Sequence, residues 1–177
     1  MELTQRISNL YKNVGMLYPL IKEKLVPQKV KVLLYTTILR PILPYESECW
    51  SLNTKHKSRV EAAEMRVLRL IKGVTKRERL RSDNIRKELG VLPILTFIER
   101  NQLRWYGHIR RMEHNRYPII FFNWTPHGRR PAGRPRKRWR DAVSDAARKR
   151  GKTLEDLEED QLFLDRSAWK AFVKLVT

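Results

Sequence analysis

Arginine side chains crowd the stretch between His127 and Arg140, and arginine is well suited to bind phosphate. The seven basic residues of this stretch are Arg129, Arg130, Arg134, Arg136, Lys137, Arg138 and Arg140, and no acidic residue stands among them. A guanidinium group offers paired N–H donors to phosphate oxygens, and so many like charges repel one another unless an anion neutralises them. The stretch therefore predicts contact with the phosphates of a nucleic acid.

Two prolines and a glycine in the same stretch predict the shape of its backbone. Pro131 and Pro135 fix φ near −65° and flank Gly133, which excludes a helix or a central strand and favours an extended ribbon. The order Gly-Arg-Pro resembles the core of an AT-hook, although Ala132 stands where that pattern normally has an arginine. An AT-hook-like chromatin protein and a solvated basic linker are the alternatives.

The charge of the whole chain points in the same direction. The 177 residues include 38 Lys and Arg against 19 Asp and Glu, a net charge of +19, and from Arg100 to Arg140 twelve basic residues face the single acid Glu113. Such an excess favours a nucleic acid as partner, with an anionic membrane surface or a protein-interaction module as alternatives. The hydrophobic fraction of 41% is enough for a folded core.

The sequence gives little support for a catalytic site or a metal-binding site. Glu46 and Glu48 are two neighbouring carboxylates without a basic or metal-binding neighbour, and His108 has no partner residue nearby in the sequence. Cys49 is the only cysteine, which excludes an internal disulfide and predicts a reducing intracellular compartment, nuclear or cytoplasmic. We predict no catalytic residue, no metal and no cofactor. No apolar run is long enough to predict a transmembrane segment.

Helical periodicity in most of the remaining sequence predicts a mainly α fold. The predicted helices run from Leu3 to near Tyr18, where Pro19 should kink or end the first, and over Gln28–Leu39, Thr54–Val74, Ser82–Leu89 and Ile94–Met112. In the second of these, Val30, Leu33, Leu34, Thr37 and Ile38 share one face. Two short helices with acidic residues should close the chain, the first capped by Thr153.

Two of the predicted helices carry a basic side. In Thr54–Val74 the apolar residues Val60, Ala63, Val67, Leu70, Ile71 and Val74 lie opposite Arg59, Arg66, Arg69, Lys72 and Lys76. In Ile94–Met112 the cations Arg100, Arg104 and Arg111 gather near Gly107. We predict that Arg66, Arg69 and these three arginines bind nucleic acid together with the ribbon. Because a glycine inside a helix costs about 1 kcal/mol, a helix or a phosphodiester should approach Gly107 closely.

The aromatic residues allow two interpretations. Trp105, Tyr106 and Trp139 could stack on unpaired bases, and for Trp105 and Trp139 burial in the core is the alternative. The apolar run Tyr117–Trp124 is short and predicts a strand or an extended strap, and a further helix should follow from Arg138 to Arg150 with Trp139 and Val143 facing inward.

Four stretches, taken in serial order, resemble the C-terminal part of the reverse transcriptase of non-LTR retrotransposons. They are LLYTTILRPILPYESECWSLNTKHKSRVEAAEMRVLRLIKGV, LGVLPILTFIERNQLRWYGHIRRM, GRRPAGRPRKRWRDAVSDAARKRG and DRSAWKAFV. The endonuclease-reverse transcriptases of RTE-like and jockey-like LINE elements are the most similar. The resemblance implies a helical thumb-like domain over residues 1–75, a helical connector with a basic face over 76–126, and a basic nucleic-acid-binding extension with acidic C-terminal helices over 127–177.

The parent family is an RNA-directed DNA polymerase, but this chain lacks what polymerisation needs. Two Mg²⁺ ions require a pair of aspartates, whereas the chain has no aspartate before Asp83 and no Tyr-x-Asp-Asp sequence. We therefore expect a non-catalytic, nucleic-acid-binding chain whose further partners are a polymerase palm or a second copy of itself. Glu46 also departs from the glycine that usually follows the tyrosine at this turn in the family.

Overall fold

The structure, a computed structural model, describes residues 3–124, 133 and 137–175, and they form a mainly α fold, as the sequence predicts. The helices are α1 (Leu3–Lys22), α2 (Gln28–Leu34), α3 (Thr54–Lys72), α4 (Ser82–Leu89), α5 (Ile94–Arg110), α6 (Tyr117–Asn123), α7 (Trp139–Arg148), α8 (Leu154–Glu159) and α9 (Arg166–Lys174). No strand occurs in the described part of the chain. The predicted ribbon lies almost wholly outside the described residues.

The chain divides into two compact units. The first comprises Met1–Tyr45 and Asn53–Phe97, and the second comprises Glu46–Leu52 and Ile98–Thr177. The three segments inferred from the sequence, 1–75, 76–126 and 127–177, follow the resemblance and the charge, and that division stays a prediction.

Helix α3 is the centre of the first unit, with α1, α2 and α4 packed against it. Its boundaries agree with the predicted ones because both ends are set locally. The Asn53 side chain accepts the His56 N–H at 2.8 Å, and Gly73 ends the helix with φ +77°. Val60, Ala63, Val67 and Ile71 are buried and Leu70 and Val74 half-buried, so the predicted apolar face is confirmed.

Helix α1 continues past Pro19, where the sequence predicted a kink or an end. Leu10 and Ile21 of the predicted apolar stripe are buried. Pro19 lies inside the helix, and the Glu23 N–H bonds the Pro19 carbonyl at 3.0 Å, so backbone bonding resumes one turn later. Proline removes a single backbone donor, which is tolerated so close to Lys22, where the helix ends anyway.

The shared face of the second predicted helix lies largely at the surface. Val30, Leu33 and Ile38 are exposed, whereas Tyr35 and Leu39 are buried. Helix α2 passes into a π-helical turn over Tyr35–Leu39 and a last α-helical turn over Arg40–Ile42. A π turn adds one residue to the repeat and so shifts which side chains point inward, a change that a regular 3.6-residue pattern does not anticipate.

A buried polar network fixes Tyr35 in this core. Glu64 of α3 is fully buried, and its Oε1 accepts the Tyr35 hydroxyl at 3.1 Å. Its Oε2 accepts Arg86 Nε at 3.1 Å and Arg86 Nη2 at 3.0 Å, and Asp83 holds the remaining side of the guanidinium at 3.1 Å. Burial and the Glu64 charge raise the pKa of the Tyr35 hydroxyl far above its usual value.

The second unit packs α5, α7, α8 and α9 around one apolar cluster. Its members are Leu103, Tyr106, Val143, Ala146, Ala147, Leu154, Leu157, Phe163, Trp169, Phe172 and Val173. The two short C-terminal helices are confirmed, and the Thr153 side chain caps α8 by accepting the Asp156 N–H at 3.1 Å.

Gly107 of α5 lies directly against the side chain of Trp169. A Cβ built at position 107 would stand 2.2 Å from the indole nitrogen of Trp169. The predicted close approach is confirmed, and of the two approaching groups considered it is a helix, α9.

Residues 117–124 are not the predicted strand or strap, because Tyr117–Asn123 forms helix α6. A short apolar run has the same periodicity in a buried strand and in a short helix, so the pattern alone could not separate them. Pro118 occupies the first turn, where a missing N–H costs nothing, and Ile119 and Phe122 face the core three residues apart.

Candidate nucleic-acid interface

The predicted binding residues fall into three groups in the structure. Arg129, Arg130, Arg134 and Arg136 lie outside the described residues. Arg66 and Arg69 belong to the first unit, and the remaining cations belong to the second.

Arg66 and Arg69 lie beside a groove of about 430 Å³ between α1 and α3. The groove is lined by Tyr11, Val14, Gly15, Tyr18, Arg66, Val67, Arg69, Leu70, Val74 and Lys76. The Arg66 guanidinium stands 4.6 Å from the centre of the Tyr11 ring, and the Nε of Arg69 is buried without a hydrogen-bond partner. The groove thus combines an apolar lining with positive charge, which suits a ligand that has flat apolar faces and anionic groups.

Other cations on the basic side of α3 are engaged within the protein. Lys72 forms an ion pair with Glu88, and Arg59 donates to the Thr4 hydroxyl at 3.0 Å. Glu88 belongs to α4, so no periodicity within α3 could have revealed it.

Arg104 and Trp105 lie together at a shallow polar hollow of about 360 Å³ in the second unit. Glu48, Asn101 and His108 complete its lining, and the Trp105 and His108 ring centres are 5.3 Å apart. Arg104 is exposed and contacts Asn101 at 3.4 Å. Trp105 is half-buried, so part of its ring remains accessible for stacking.

Arg100 and Arg111 hold the second unit together. Arg100 donates to the Lys174 carbonyl at 2.8 Å, and Arg111 donates to the Phe163 carbonyl at 2.7 Å. Partial burial and the nearby Arg166 lower the pKa of Arg111. The structure therefore gives both side chains a packing role, and their contact with nucleic acid stays a prediction.

Base stacking by Tyr106 does not fit the structure, because its ring is fully buried in the apolar cluster. Its hydroxyl donates to Glu158 at 3.3 Å, and burial together with the Glu158 charge raises its pKa to about 12. Tyr106 is a core residue, which the sequence did not predict. Trp139 is half-buried, its indole N–H donates to the Glu48 carbonyl, and its ring meets Phe122 edge to face.

The C-terminal flank of the arginine-rich stretch leads into α7. Lys137 pairs with Asp145, whereas Arg138 and Arg140 are exposed. The Arg138 N–H is accepted by Asp141 at 2.8 Å, which starts the helix, and the Arg140 guanidinium lies 5.4 Å from the centre of the Phe122 ring.

Sequence reasoning missed the exposed aromatic residues of α6. Tyr117, Phe121 and Trp124 are all exposed and recur at steps of four and three. This spacing would have placed them on one helical face had the run been interpreted as a helix.

Cys49 is exposed, and partial burial of its sulfur together with Glu48 and Glu46 raises the pKa of its thiol. Glu46 adopts φ +56°, a left-handed conformation that glycine adopts more readily than other residues. Within the described residues, no three His, Cys, Asp or Glu side chains are grouped closely enough to hold a metal ion. None of the described helices is both long and apolar enough to span a membrane.

Comparison with known proteins finds a distant similarity to a transposon-derived protein. It is 28% identical, over 158 residues, to an uncharacterised transposon-derived protein of Caenorhabditis elegans. The match covers 86% of this chain and 57% of that protein, so the chain spans a little over half the length of the relative. The similarity hints at a transposon origin. No protein-family profile and no solved structure matches the chain.

Proposed function

We propose that the chain is the nucleic-acid-binding part of a retrotransposon reverse transcriptase, and that it grips RNA or DNA through its arginine side chains. The observation that carries the proposal is the charge. With 38 basic against 19 acidic side chains, half of the basic ones would lack an acidic partner even if every carboxylate neutralised one of them. A polyanion supplies the missing negative charge.

The ion pairs of the structure give a second reason to expect a polyanionic partner. Several carboxylates are already engaged with lysines: Glu88 with Lys72, Glu99 with Lys149, Asp145 with Lys137 and Asp160 with Lys152. Arg66, Arg104, Arg138 and Arg140 are exposed, and phosphates are the natural partners for their guanidinium groups.

We propose further that the chain binds without catalysing. Its sequence contains no aspartate pair of the Tyr-x-Asp-Asp kind, so the two-metal chemistry of polymerisation has no ligands here. The matching test is primer extension with Mg²⁺ and an RNA template, in which we expect no product from the isolated chain.

The experiment that tests binding is a titration of the full chain against a labelled 20-base-pair duplex at increasing salt. If about five side chains of the arginine-rich stretch meet phosphates, log K should fall with log salt at a slope of roughly −4 to −5. Changing Arg129, Arg130, Arg134, Arg136 and Arg138 to glutamine should weaken binding on the order of 100-fold at low salt and flatten the slope.

A charge-matched control separates this site from a general effect of net charge. Lys12, Lys24, Lys29, Lys55 and Lys87 are exposed in the first unit, and changing these five to glutamine removes the same total charge. We expect this variant to keep most of the affinity. A slope near zero, or equal losses in the two variants, would contradict the proposed site.

A further inference from the structure

The outward face of α6 carries the aromatic rings of Tyr117 and Phe121, and Trp124 follows directly after the helix, where the backbone is extended. Tyr117, Phe121 and Trp124 follow one another at i, i+4 and i+7 and are 76%, 70% and 58% exposed. The opposite face already supplies what the core needs, because Ile119 is buried and Phe122 packs against the apolar cluster. The three outward rings therefore serve no packing purpose within the described part of the chain.

The rings are arranged as a ligand with flat faces would require. Those of Tyr117 and Phe121 are nearly parallel, with an interplanar angle of 27° and centres 6.4 Å apart. The two ring faces are thus similarly oriented, as stacking on neighbouring bases of one strand requires. Aromatic side chains contribute to such stacking with any base, because every base has a π face.

The positive charge around these rings favours an anionic ligand. The exposed Arg116 precedes the helix, and the exposed Arg140 lies against Phe122 of the same helix. The sequence contains no acidic residue from His114 to Arg140, so no carboxylate of this stretch opposes a polyanion at the rings. Unpaired bases bring both the flat faces and the phosphates that this surface fits, whereas the bases of a duplex are already stacked on each other.

We propose that Tyr117, Phe121 and Trp124 form a stacking platform for single-stranded nucleic acid, with Arg116 contacting its backbone. The inference rests on the proposed nucleic-acid binding and deepens it, since it assigns a preference for unpaired strands to α6.

The test compares binding of the full chain to a fluorescein-labelled 15-nucleotide oligo(dT) and to a 15-base-pair duplex. The variant Tyr117→Leu, Phe121→Leu, Trp124→Leu keeps an apolar face but removes the rings. Because stacking contributes about 1–3 kcal/mol per base, we expect it to bind oligo(dT) at least tenfold more weakly and the duplex within about twofold of the unchanged chain. The salt slope for oligo(dT) should stay the same, since the cations are intact.

Two controls keep the comparison specific. Leu25 and Leu164 are exposed in the two units, and changing both to alanine should leave oligo(dT) affinity unchanged. Trp124 is the most exposed of the five tryptophans, so oligo(dT) should quench its emission, and Trp124→Phe should remove most of that quenching.

The possible outcomes separate the two proposals. Unchanged oligo(dT) affinity in the leucine variant, or an equal loss on duplex, overturns the stacking platform and leaves the arginine contacts standing. Binding of the unchanged chain to neither oligonucleotide overturns the proposed function and the platform together. Tight binding to vesicles of phosphatidylcholine and phosphatidylserine that survives the leucine changes, with no response of oligo(dT) affinity, would assign the face to membranes instead.

Discussion

Glu64 is a carboxylate without exposed surface, held by Arg86 on one oxygen and by Tyr35 on the other. A buried ion pair contributes little compared with an apolar replacement of the same shape, but removal of one partner leaves the other charge uncompensated. At the scale of single residues, this site is therefore where the first unit is most sensitive to substitution.

We expect Glu64→Gln to lower the free energy of unfolding by about 3–5 kcal/mol, because Arg86 would then be a buried cation without its main counter-charge. Urea denaturation followed by circular dichroism measures the change. Glu88→Gln is the matched control, since the Glu88–Lys72 pair has an exposed carboxylate and should contribute less than about 1 kcal/mol. Equal losses of unfolding free energy in the two variants would contradict a larger contribution from the buried network.

At the scale of helices, Gly15 and Gly107 both lie in the interior of a helix but have opposite roles. Gly107 lies inside α5 against the Trp169 ring, whereas Gly15 lies inside α1 with nothing within 4 Å of the point where a Cβ would stand. Glycine lowers the stability of a helix in both places, but only at position 107 does the space between two helices require it.

We expect Gly107→Ala to destabilise the chain by about 1–3 kcal/mol, because the methyl group would displace the Trp169 indole. Gly15→Ala should instead stabilise it by up to about 1 kcal/mol through helix propensity. Thermal unfolding measures both, and near-ultraviolet circular dichroism reports the Trp169 environment. A destabilised Gly15→Ala variant, or an unaffected Gly107→Ala variant, would contradict this account.

What the sequence could reveal about the helices depended on whether the deciding contact was local. Asn53 and Gly73 cap the two ends of α3 and belong to its own stretch of sequence. The limits of the helix and its inward face were therefore predictable. The burial of Tyr35 and Leu39 directly after α2 was not, because it depends on the π turn over Tyr35–Leu39 and on the contact of Tyr35 with Glu64, 29 residues later. The same holds for the interface: Tyr106 and Trp105 are adjacent in sequence, and only the packing of α5 decides that Tyr106 is buried and Trp105 half-buried.

At the scale of the whole molecule, the net charge of +19 is a source of instability as well as a means of binding. Like charges repel one another most in the compact state, and the repulsion is screened over about 10 Å at 0.1 M salt. The same excess that fits a polyanion should therefore make the free chain dependent on ionic strength.

We expect the midpoint of thermal unfolding to rise between 20 and 300 mM NaCl, by about 2–4 °C for each kcal/mol of repulsion that salt removes. Scanning calorimetry measures the shift. The variant with Arg129, Arg130, Arg134, Arg136 and Arg138 changed to glutamine carries five fewer charges and should respond less. A midpoint that falls with added salt would mean that ion pairs outweigh repulsion in this chain.

Cys49 carries the only thiol of the sequence and so provides a single position for a thiol-specific label. Because the chain has one cysteine and its side chain is exposed, a maleimide dye should couple at one known position in the second unit. The raised pKa keeps the thiolate fraction small near neutral pH, so coupling should be slow there and faster in mildly alkaline buffer. A dye at Cys49 could then report distance changes by energy transfer when a labelled strand binds.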